Sequence, residues 1–391
     1  MRYHFSNCVL DIDAHTLTRD GQVQNIEPMV FDLLHLLARN SGGLVTRDQM
    51  IDEVWQGRIV SESAISARIA AMRRAVGDTG KAQSIVRTVP RRGLQFVAKL
   101  EQAGMEESIT PPASHPTVKF ATSYDGVKLA FAVSGSGPPI IRTQHFPTHL
   151  ELEWQEDTIS RTFAALNQSY SLIRYDLRGS GLSDIAVDTM GSAQDVEDIK
   201  AVADAAGLER FALYGTSGGA VRAIEFAVKY PERLSHLILL GGYADGRSIR
   251  EKAGAANTLE TIKAMLQEGW ETPGSPFVKA YVSLYFPTAS NELSQVFAHM
   301  LQASSPVENI MRVREYINNH SITELLDKVS TPTLVMHSRE DAVHPLAEAQ
   351  KLARGIAGAE FLVLESPNHY PLPQEASWQV HVDAILEFLS R

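Results

Sequence analysis

One segment in the middle of the chain constrains the fold of the second half more than any other. The apolar run Phe211-Ala212-Leu213-Tyr214 passes directly into Gly215-Thr216-Ser217-Gly218-Gly219-Ala220, so a strand pattern becomes a helix pattern at a serine flanked by glycines. Such glycines leave room for a sharp turn that lifts the serine hydroxyl above the sheet, beside the N-terminus of the next helix. The segment therefore predicts Ser217 as a nucleophile.

A nucleophilic serine needs a base, and the base needs an acid that orients it. The candidate acid Asp341 follows the strand pattern at 333–337, and the candidate base His369 follows the strand pattern at 361–364. Sites in α/β sheets gather at the carboxyl ends of strands, which is where both residues are expected. Asp245, which follows an earlier strand pattern, is an alternative acid, although Asp341 is preferred.

Strand and helix patterns alternate from residue 118 onward, which predicts a mostly parallel sheet covered by helices on both faces. The last helix is predicted at about 376–389, and a helical cap at about 245–325. The predicted strands lie near 118–122, 127–133, 139–143, 171–175, 210–214, 235–240, 332–337 and 359–364.

The serine turn, the candidate acid and base and the strand order resemble the α/β-hydrolase family over residues 117–391. The same family resemblance extends to the segment Asp176-Leu177-Arg178-Gly179-Ser180-Gly181-Leu182-Ser183-Asp184. The resemblance implies an α/β-hydrolase fold with a helical cap, which shapes the pocket and excludes water. It also implies a catalytic triad of Ser217, Asp341 and His369.

The segment after the third strand departs from the family. Family enzymes usually carry His-Gly there, and the next residue donates a backbone N–H to the oxyanion. Here the segment reads Gln144-His145-Phe146-Pro147, so the resemblance assigns the oxyanion hole to Phe146 and Gly218, with His145 in place of the glycine. Because losing one oxyanion donor typically costs about 100- to 1000-fold in turnover, we expect slow hydrolysis or binding without turnover.

The ligand is expected to be a small, neutral and fairly apolar ester, lactone, thioester or ring-cleavage product. The region of the cap contains scattered aromatic residues but no run of basic residues that would indicate a strongly anionic ligand. No cofactor and no metal site are predicted, and the single cysteine, Cys8, excludes a Cys-based zinc site. The predicted pocket residues are His145, Trp154, Tyr243, Trp270, Tyr285 and Tyr370, with Phe146, Tyr281, Phe286 and Phe297 as further aromatic candidates.

The first 100 residues carry a different pattern. Short strand-like pieces in residues 3–26 are broken at Asp20-Gly21, and three helices follow. Pro28 begins the first helix, while Thr46 and Ser61 are suited to cap the second and third. The third helix, 62–76, has an apolar stripe at Ile65, Ile69, Met72 and Val76, and residues 85–97 read as a hairpin with arginines at its tip.

This pattern resembles the OmpR/PhoB family of winged-helix domains over residues 3–98, through Val54-Trp55, Val60-Ser61-Glu62, Met72-Arg73-Arg74 with Gly77-Asp78, and Thr88-Val89 with Arg92-Gly93. The resemblance implies an α+β winged helix whose helix 62–76 enters the major groove of double-stranded DNA, with the hairpin in the adjacent minor groove. Ala71 and Gln95 stand where arginine is common. The residues implied to face base edges are Ser63, Ala64, Arg68 and Ala71, and those implied to contact phosphates or the minor groove are Arg73, Arg91, Arg92 and Gln95. Arg74 is a further predicted DNA-binding residue.

The charge distribution agrees with a DNA-binding first domain. Residues 1–100 hold 13 Lys and Arg against 10 Asp and Glu, whereas the remainder holds 23 against 36. The expected organisation is multidomain, with a winged-helix DNA-binding domain at 1–100, a polar, Pro-rich linker at 101–116 and an α/β-hydrolase domain at 117–391. No signal peptide or membrane span is indicated, so a cytoplasmic protein is expected.

The two patterns together predict a DNA-binding transcriptional regulator whose hydrolase domain binds a small ligand and slowly hydrolyses it. A homodimer is expected because a single winged helix reads a short site. Two alternatives stay open at this point: a regulator whose hydrolase fold serves only as a ligand receptor, and a plain serine hydrolase with an accessory winged helix.

Overall fold

The computed structural model describes residues 2–12, 15–55, 60–90, 92–101, 116–252 and 259–391 and divides the chain into two compact units, Met1–Ser108 and Ile109–Arg391. Arg91 and residues 102–115, which make up most of the predicted linker, lie outside the described residues. Glu101, predicted as the first linker residue, is instead the last residue of a strand.

The first unit contains two antiparallel sheets and three helices. The strand order is β4-β3-β2-β1-β8 in one sheet and β5-β7-β6 in the other. This arrangement confirms the predicted α+β winged-helix fold. The elements are β1 (Arg2–Phe5), β2 (Cys8–Asp11), β3 (Thr16–Arg19), β4 (Gln22–Gln24), α1 (Pro28–Arg39), β5 (Leu44–Thr46), α2 (Arg47–Val54), α3 (Glu62–Ala75), β6 (Val86–Val89), β7 (Gly93–Phe96) and β8 (Leu100–Glu101).

Local sequence signals account for these elements. Asp20 and Gly21 have φ of 54° and 78°, the left-handed conformation that a tight hairpin between β3 and β4 requires. Thr46 Oγ1 accepts a hydrogen bond from Gln49 N at 3.2 Å, and Ser61 Oγ accepts one from Ala64 N at 3.3 Å, so both predicted caps are present.

The second unit is an eight-stranded sheet with helices on both faces. Its elements are β9 (Val118–Thr122), β10 (Lys128–Gly135), β11 (Pro139–Thr143), α4 (Leu150–Gln155), α5 (Asp157–Asn167), β12 (Ser171–Tyr175), α6 (Ser192–Ala205), β13 (Phe211–Thr216), α7 (Gly218–Lys229), β14 (Leu234–Leu240), α8 (Arg247–Lys252), α9 (Leu259–Gly269), α10 (Pro276–Tyr285), α11 (Asn291–Ser304), α12 (Val307–Asn319), β15 (Thr333–Ser338), α13 (Leu346–Gly355), β16 (Glu360–Leu364) and α14 (Ala376–Leu389), with 3₁₀ turns at Pro231–Arg233 and Thr323–Lys328.

The strand order is β16-β15-β14-β13-β11-β12-β10-β9, with β10 antiparallel to both of its neighbours and the other pairings parallel. All eight strands occur where the sequence predicts them, within two residues at either end. Helices α8 to α12 lie between β14 and β15, in the region predicted as a cap. The predicted α/β-hydrolase fold with a helical cap is confirmed.

The loop after β12 is held by buried ionic and polar contacts. Asp176 Oδ2 accepts a hydrogen bond from Leu182 N at 2.9 Å, and burial raises the pKa of Asp176 to about 7. Arg178, which is only 1% exposed, is paired with Asp198 and Asp125 at 2.7 Å each. These contacts fix the loop beside the carboxyl end of the sheet. In the parts of the chain that the structure describes, no helix is both long and apolar enough to cross a membrane.

Candidate functional site

Ser217 occupies a strained turn between β13 and α7. Its backbone has φ 53° and ψ −123°, and its N–H donates to Leu240 O at 2.8 Å. The turn is tight enough to require glycine nearby, because a Cβ on Gly219 would lie 2.2 Å from Thr143 O. A non-glycine residue in this conformation costs free energy and is typical of functional sites.

Asp341 and His369, the predicted acid and base, are joined directly. His369 Nδ1 lies 2.6 Å from Asp341 Oδ2, and both side chains are fully buried. Asp341 Oδ1 accepts hydrogen bonds from Val343 N at 2.7 Å and His344 N at 3.2 Å. Despite its burial, the pKa of Asp341 is lowered, because His369 and these bonds favour the carboxylate.

A second histidine reaches the same carboxylate. His337 Nε2 lies 3.3 Å from Asp341 Oδ2 and 2.9 Å from the carbonyl oxygen of His344. His337 Nε2 donates to the carbonyl oxygen of His344, which places its N–H beside the Asp341 carboxylate and keeps that side of the carboxylate polar.

The alternative acid, Asp245, is excluded by the geometry. Its carboxylate forms an ion pair with Lys351 and accepts hydrogen bonds from Ser321 at 2.6 Å and Thr323 at 3.1 Å. Asp245 therefore serves the contact between β14 and the segment before β15, and it does not orient His369.

Ser217 and His369 are not hydrogen-bonded to each other in this structure. His369 Nε2 is buried and has no hydrogen-bond partner among the residues that the structure describes. Burial raises the pKa of the neighbouring Tyr370, and the hydroxyl groups of Ser217 and Thr216 act against that rise. A rotation of Ser217 toward His369 would be needed before proton transfer, as is common in ligand-free sites.

The predicted oxyanion donors line the same cavity as Ser217. Gly218 is the first residue of α7, and Phe146 follows β11; among the described residues, neither backbone N–H has a hydrogen-bond acceptor. His145, in place of the family's glycine, stacks on Tyr285 with ring centroids 5.3 Å apart. Burial and then the charge of Arg314 hold the pKa of His145 well below its usual range, so this imidazole is neutral.

A cavity of about 580 Å³, open solvent at its mouth included, lies over Ser217 and Gly218. Three of the predicted pocket residues, His145, Tyr243 and Tyr285, line this cavity. The remaining lining residues are Phe146, Arg222, Arg247, Arg250, Ile262, Tyr281, Leu284, Val313, Arg314, Ile317, Asn318, Val343 and His344.

The other predicted pocket residues lie elsewhere. Trp270 lines a smaller cavity beside His145 and donates from Nε1 to Ser305 O at 2.7 Å. The prediction for Trp154 is wrong, because its ring packs on Phe163 below the sheet, with Arg174 5.0 Å away. Tyr370 is next to Ser217 but does not line the main cavity.

Four arginines line the cavity, a feature that the expectation of a neutral, apolar ligand did not include. They come from three helices, α7, α8 and α12, and no Asp or Glu is among the lining residues. Arg222 is neutralised by Asp195 at 2.6 Å, and Arg247 Nη2 donates to Val343 O at 2.9 Å. Sequence reasoning missed the group because its members are far apart in the chain. Within the described ranges, no three His, Cys, Asp or Glu side chains are grouped to hold a metal ion.

Some of the predicted DNA-contacting residues are exposed, whereas others interact with neighbouring residues of the first unit. Ser63, Ala64, Arg74 and Arg92 are exposed, and Arg91 lies outside the described residues. The exposed face of α3 further includes Ser66, Ala67 and Ala70, and Arg87 is exposed on β6; the sequence analysis named none of these four.

Four predicted contacts are used within the domain. Arg73 Nη2 donates to Val86 O at 3.0 Å and to Thr88 Oγ1 at 2.9 Å, and Gln95 Nε2 donates to Gly42 O at 2.7 Å. Ala71 packs partly against the core. Arg68 Nη2 forms an ion pair with Glu27 at 3.0 Å, which it would have to leave in order to reach a base.

Comparison with known proteins adds two family matches and several relatives. A family model described as the alpha/beta hydrolase fold matches residues 146–376, more than half of the chain. A second model, described as the C-terminal domain of transcriptional regulatory proteins, matches residues 21–96.

Among curated proteins, a 2-hydroxy-6-oxononadienedioate/2-hydroxy-6-oxononatrienedioate hydrolase from Paraburkholderia phymatum is 30% identical over 246 residues, 58% of this chain and 79% of the relative. Pyrrolizixenacetamide deacetylase from Xenorhabdus hominickii is 23% identical over 253 residues, 63% of this chain and 91% of the relative.

Two solved structures are similar over 70% of this chain and 100% of their own. An esterase from Exiguobacterium antarcticum has a TM-score of 0.60 at 22% identity, and the enol-lactonase from Burkholderia xenovorans LB400 has 0.57 at 18%. At these identities the two structures support the fold alone.

Proposed function

Because the chain belongs to the α/β hydrolase fold family and carries an OmpR/PhoB-type regulatory domain, we propose that it is a DNA-binding regulator whose hydrolase domain binds and slowly hydrolyses a small carbonyl ligand. The 2.6 Å bond between His369 and Asp341 next to the Ser217 turn carries the proposal. Hydrolases of 2-hydroxy-6-oxo acids among the relatives support a ligand of the ring-cleavage type.

Each residue has one role in the proposed reaction. Ser217 Oγ attacks the carbonyl carbon while its proton passes to His369 Nε2, and Asp341 stabilises the imidazolium that forms. The N–H groups of Phe146 and Gly218 hold the developing oxyanion. His369 then gives this proton to the leaving group. In the second step His369 takes a proton from a water molecule that attacks the acyl carbon, and it gives that proton to Ser217 Oγ as the acyl group leaves as an acid.

The proposed DNA surface is the exposed face of α3 together with the wing. Arg74 and Arg92 supply positive charge there, and the surface would act in a homodimer that reads two half-sites. Binding to mixed-sequence duplex DNA that weakens with salt is the expected result. Binding that is absent at low salt would instead favour a plain hydrolase with an accessory winged helix.

A ligand receptor without turnover is the second candidate, and the unpartnered His369 Nε2 favours it. His145, which brings a side chain to the position of the family's glycine, also favours a receptor without turnover. In that case the three polar residues would anchor the ligand, and occupancy alone would change the affinity for DNA.

The mass of the intact protein after exposure to a fluorophosphonate distinguishes the two candidates without knowledge of the ligand. Hydrolysis predicts a single adduct on Ser217 that is lost in Ser217→Ala. An unmodified mass, in protein that still binds DNA, would refute the hydrolytic function and leave the receptor.

A further inference from the structure

Arg314 presents a guanidinium to the cavity wall. The side chain lies on α12 and is 9% exposed. Its Nη2 donates to the hydroxyls of Tyr281 and Tyr285, and its Cζ lies 4.9 Å from the centroid of the Tyr281 ring. Its Nε and Nη1 donate to no described residue. One edge of the guanidinium is therefore fixed by phenols, and hydrogen-bond donors on the rest of the group remain available.

The charge of Arg314 is not balanced by a carboxylate of any described residue. No described carboxylate oxygen lies within 4.0 Å of its guanidinium, whereas Arg222 in the same cavity contacts Asp195 at 2.6 Å. The phenols do not replace a carboxylate, because burial raises the pKa of Tyr281 and keeps it neutral. A buried cation without a partner is costly, so a ligand anion is the missing partner.

Arg250 adds a second cation to the same wall. Its Nη2 lies 3.3 Å from His344 Nδ1, and its Nε is buried without a hydrogen-bond partner. Among the described residues, Arg250 also has no carboxylate within 4.0 Å. A concave site with two such cations and no acidic lining residue attracts anions.

Arg314 and Arg250 are each separated from His369 by one intervening residue. Tyr285, which contacts Arg314, accepts a hydrogen bond from His369 N on its carbonyl oxygen at 2.7 Å. His344, which contacts Arg250, has its ring centroid 5.5 Å from that of His369. One small ligand could therefore contact an arginine and Ser217 together.

We propose that Arg314, assisted by Arg250, forms a subsite that binds a carboxylate of the ligand while the carbonyl group to be attacked lies at Ser217. The subsite rests on the proposed function of the Ser217 site and names its substrate class: small oxo compounds, esters or lactones that also carry a carboxylate. The planar guanidinium fork matches a carboxylate, and hydrogen bonds between two charged groups are shorter and stronger than those between neutral groups.

Binding to Ser217→Ala tests the subsite, because this variant leaves an ester intact whether or not Ser217 is an active nucleophile. The probes are monophenyl glutarate, which carries a carboxylate, and phenyl pentanoate, its neutral analogue, with affinities measured by calorimetry. We expect tighter binding of monophenyl glutarate, and a loss of about 10- to 150-fold when Arg314→Gln is added. Phenyl pentanoate should bind equally with and without Arg314→Gln.

Arg161→Gln is the matched control, because it removes an exposed arginine on α5 that is paired with Asp157. It should leave both affinities unchanged. Equal affinity for the two probes in the Ser217→Ala protein would overturn the subsite, and this comparison needs no change at Arg314. Equal losses for both probes in Arg314→Gln would make Arg314 a structural residue. Tighter binding of the analogue with a phosphonate in place of the carboxylate would overturn the choice of oxyanion.

The subsite and the proposed hydrolysis can fail separately. Selective binding of monophenyl glutarate without fluorophosphonate labelling of Ser217 would refute hydrolysis and keep the subsite. Labelling of Ser217 together with equal binding of the two probes would refute the subsite and keep the proposed hydrolysis.

Discussion

Replacing Asp341 by asparagine removes one charge from the centre of the proposed triad at almost constant shape. Asp341 Oδ1 accepts two backbone N–H groups, from Val343 and His344, which an asparagine oxygen would keep. The amide NH₂ would then face His369 Nδ1. Because two donors cannot share this bond, His369 would carry its proton on Nε2 and could not accept the proton of Ser217.

The size of the effect follows from the distance. A carboxylate 2.6 Å from the imidazolium that forms during attack contributes about 6 kcal/mol at an effective dielectric constant of about 20. The backbone hydrogen bonds that asparagine keeps, together with relaxation of the site, offset part of this loss of electrostatic stabilisation. With about 1.4 kcal/mol for each factor of ten in rate, we expect Asp341→Asn to slow the reaction of Ser217 by roughly 10³- to 10⁴-fold.

The rate of fluorophosphonate labelling, followed by the mass of the intact protein over time, measures this loss without a known substrate. Asp245→Asn is the matched control, since it makes the same chemical change at a carboxylate paired with Lys351. Labelling should be unchanged in that variant. The reasoning would be refuted if Asp341→Asn labelled within tenfold of the native rate, or if Asp245→Asn were the slower of the two.

Two further predictions concern stability and DNA binding. Because the pKa of Asp176 is raised to about 7, the folded protein keeps a proton that the unfolded chain releases above about pH 4. The free energy of unfolding should therefore fall by on the order of 4 kcal/mol between about pH 4 and pH 7. Urea denaturation of Asp176→Asn should show a smaller fall over that range, and an equal fall would contradict this prediction. Arg73→Ala should lower the free energy of unfolding of the first unit by about 1 to 3 kcal/mol, because its hydrogen bonds to β6 are lost. Arg74→Ala should leave thermal stability unchanged and reduce by about one the slope of log binding constant for DNA against log salt concentration. The opposite assignment of the two effects would disprove both roles.

The fold was predictable because its signals are local. Strands of the second unit are short apolar runs bounded by glycine and proline, and the helix caps at Thr46 and Ser61 depend on residues three positions away. The Ser217 turn is equally local, since the requirement for glycine arises within a few residues of the serine. The contact between His369 and Asp341 was predictable because each residue lies within five residues of the end of its own strand, at the same edge of the sheet.

The chemistry of the cavity was not predictable in the same way. The arginines at 222, 247, 250 and 314 belong to three helices, and no single helix contains more than two of them. The sequence also does not show that Arg222 pairs with the carboxylate of Asp195 whereas Arg314, among the described residues, has only phenol partners. Aromatic residues misled for a related reason, because Trp154 has the composition of a pocket residue but faces the other side of the sheet.

The exposed face of α3 limits how the first unit could read DNA. Ser63, Ala67, Ala70 and Arg74 recur along one side of the helix, whereas Arg73 is engaged with β6. Alanine methyl groups can contact thymine methyl groups but donate no hydrogen bond to a base edge. Arg74 is then the one long side chain on this face among the described residues, so phosphate contacts and DNA shape would supply most of the affinity. Weak readout by one domain makes a second copy on an adjacent half-site the natural source of specificity, which is a physical reason to expect the homodimer.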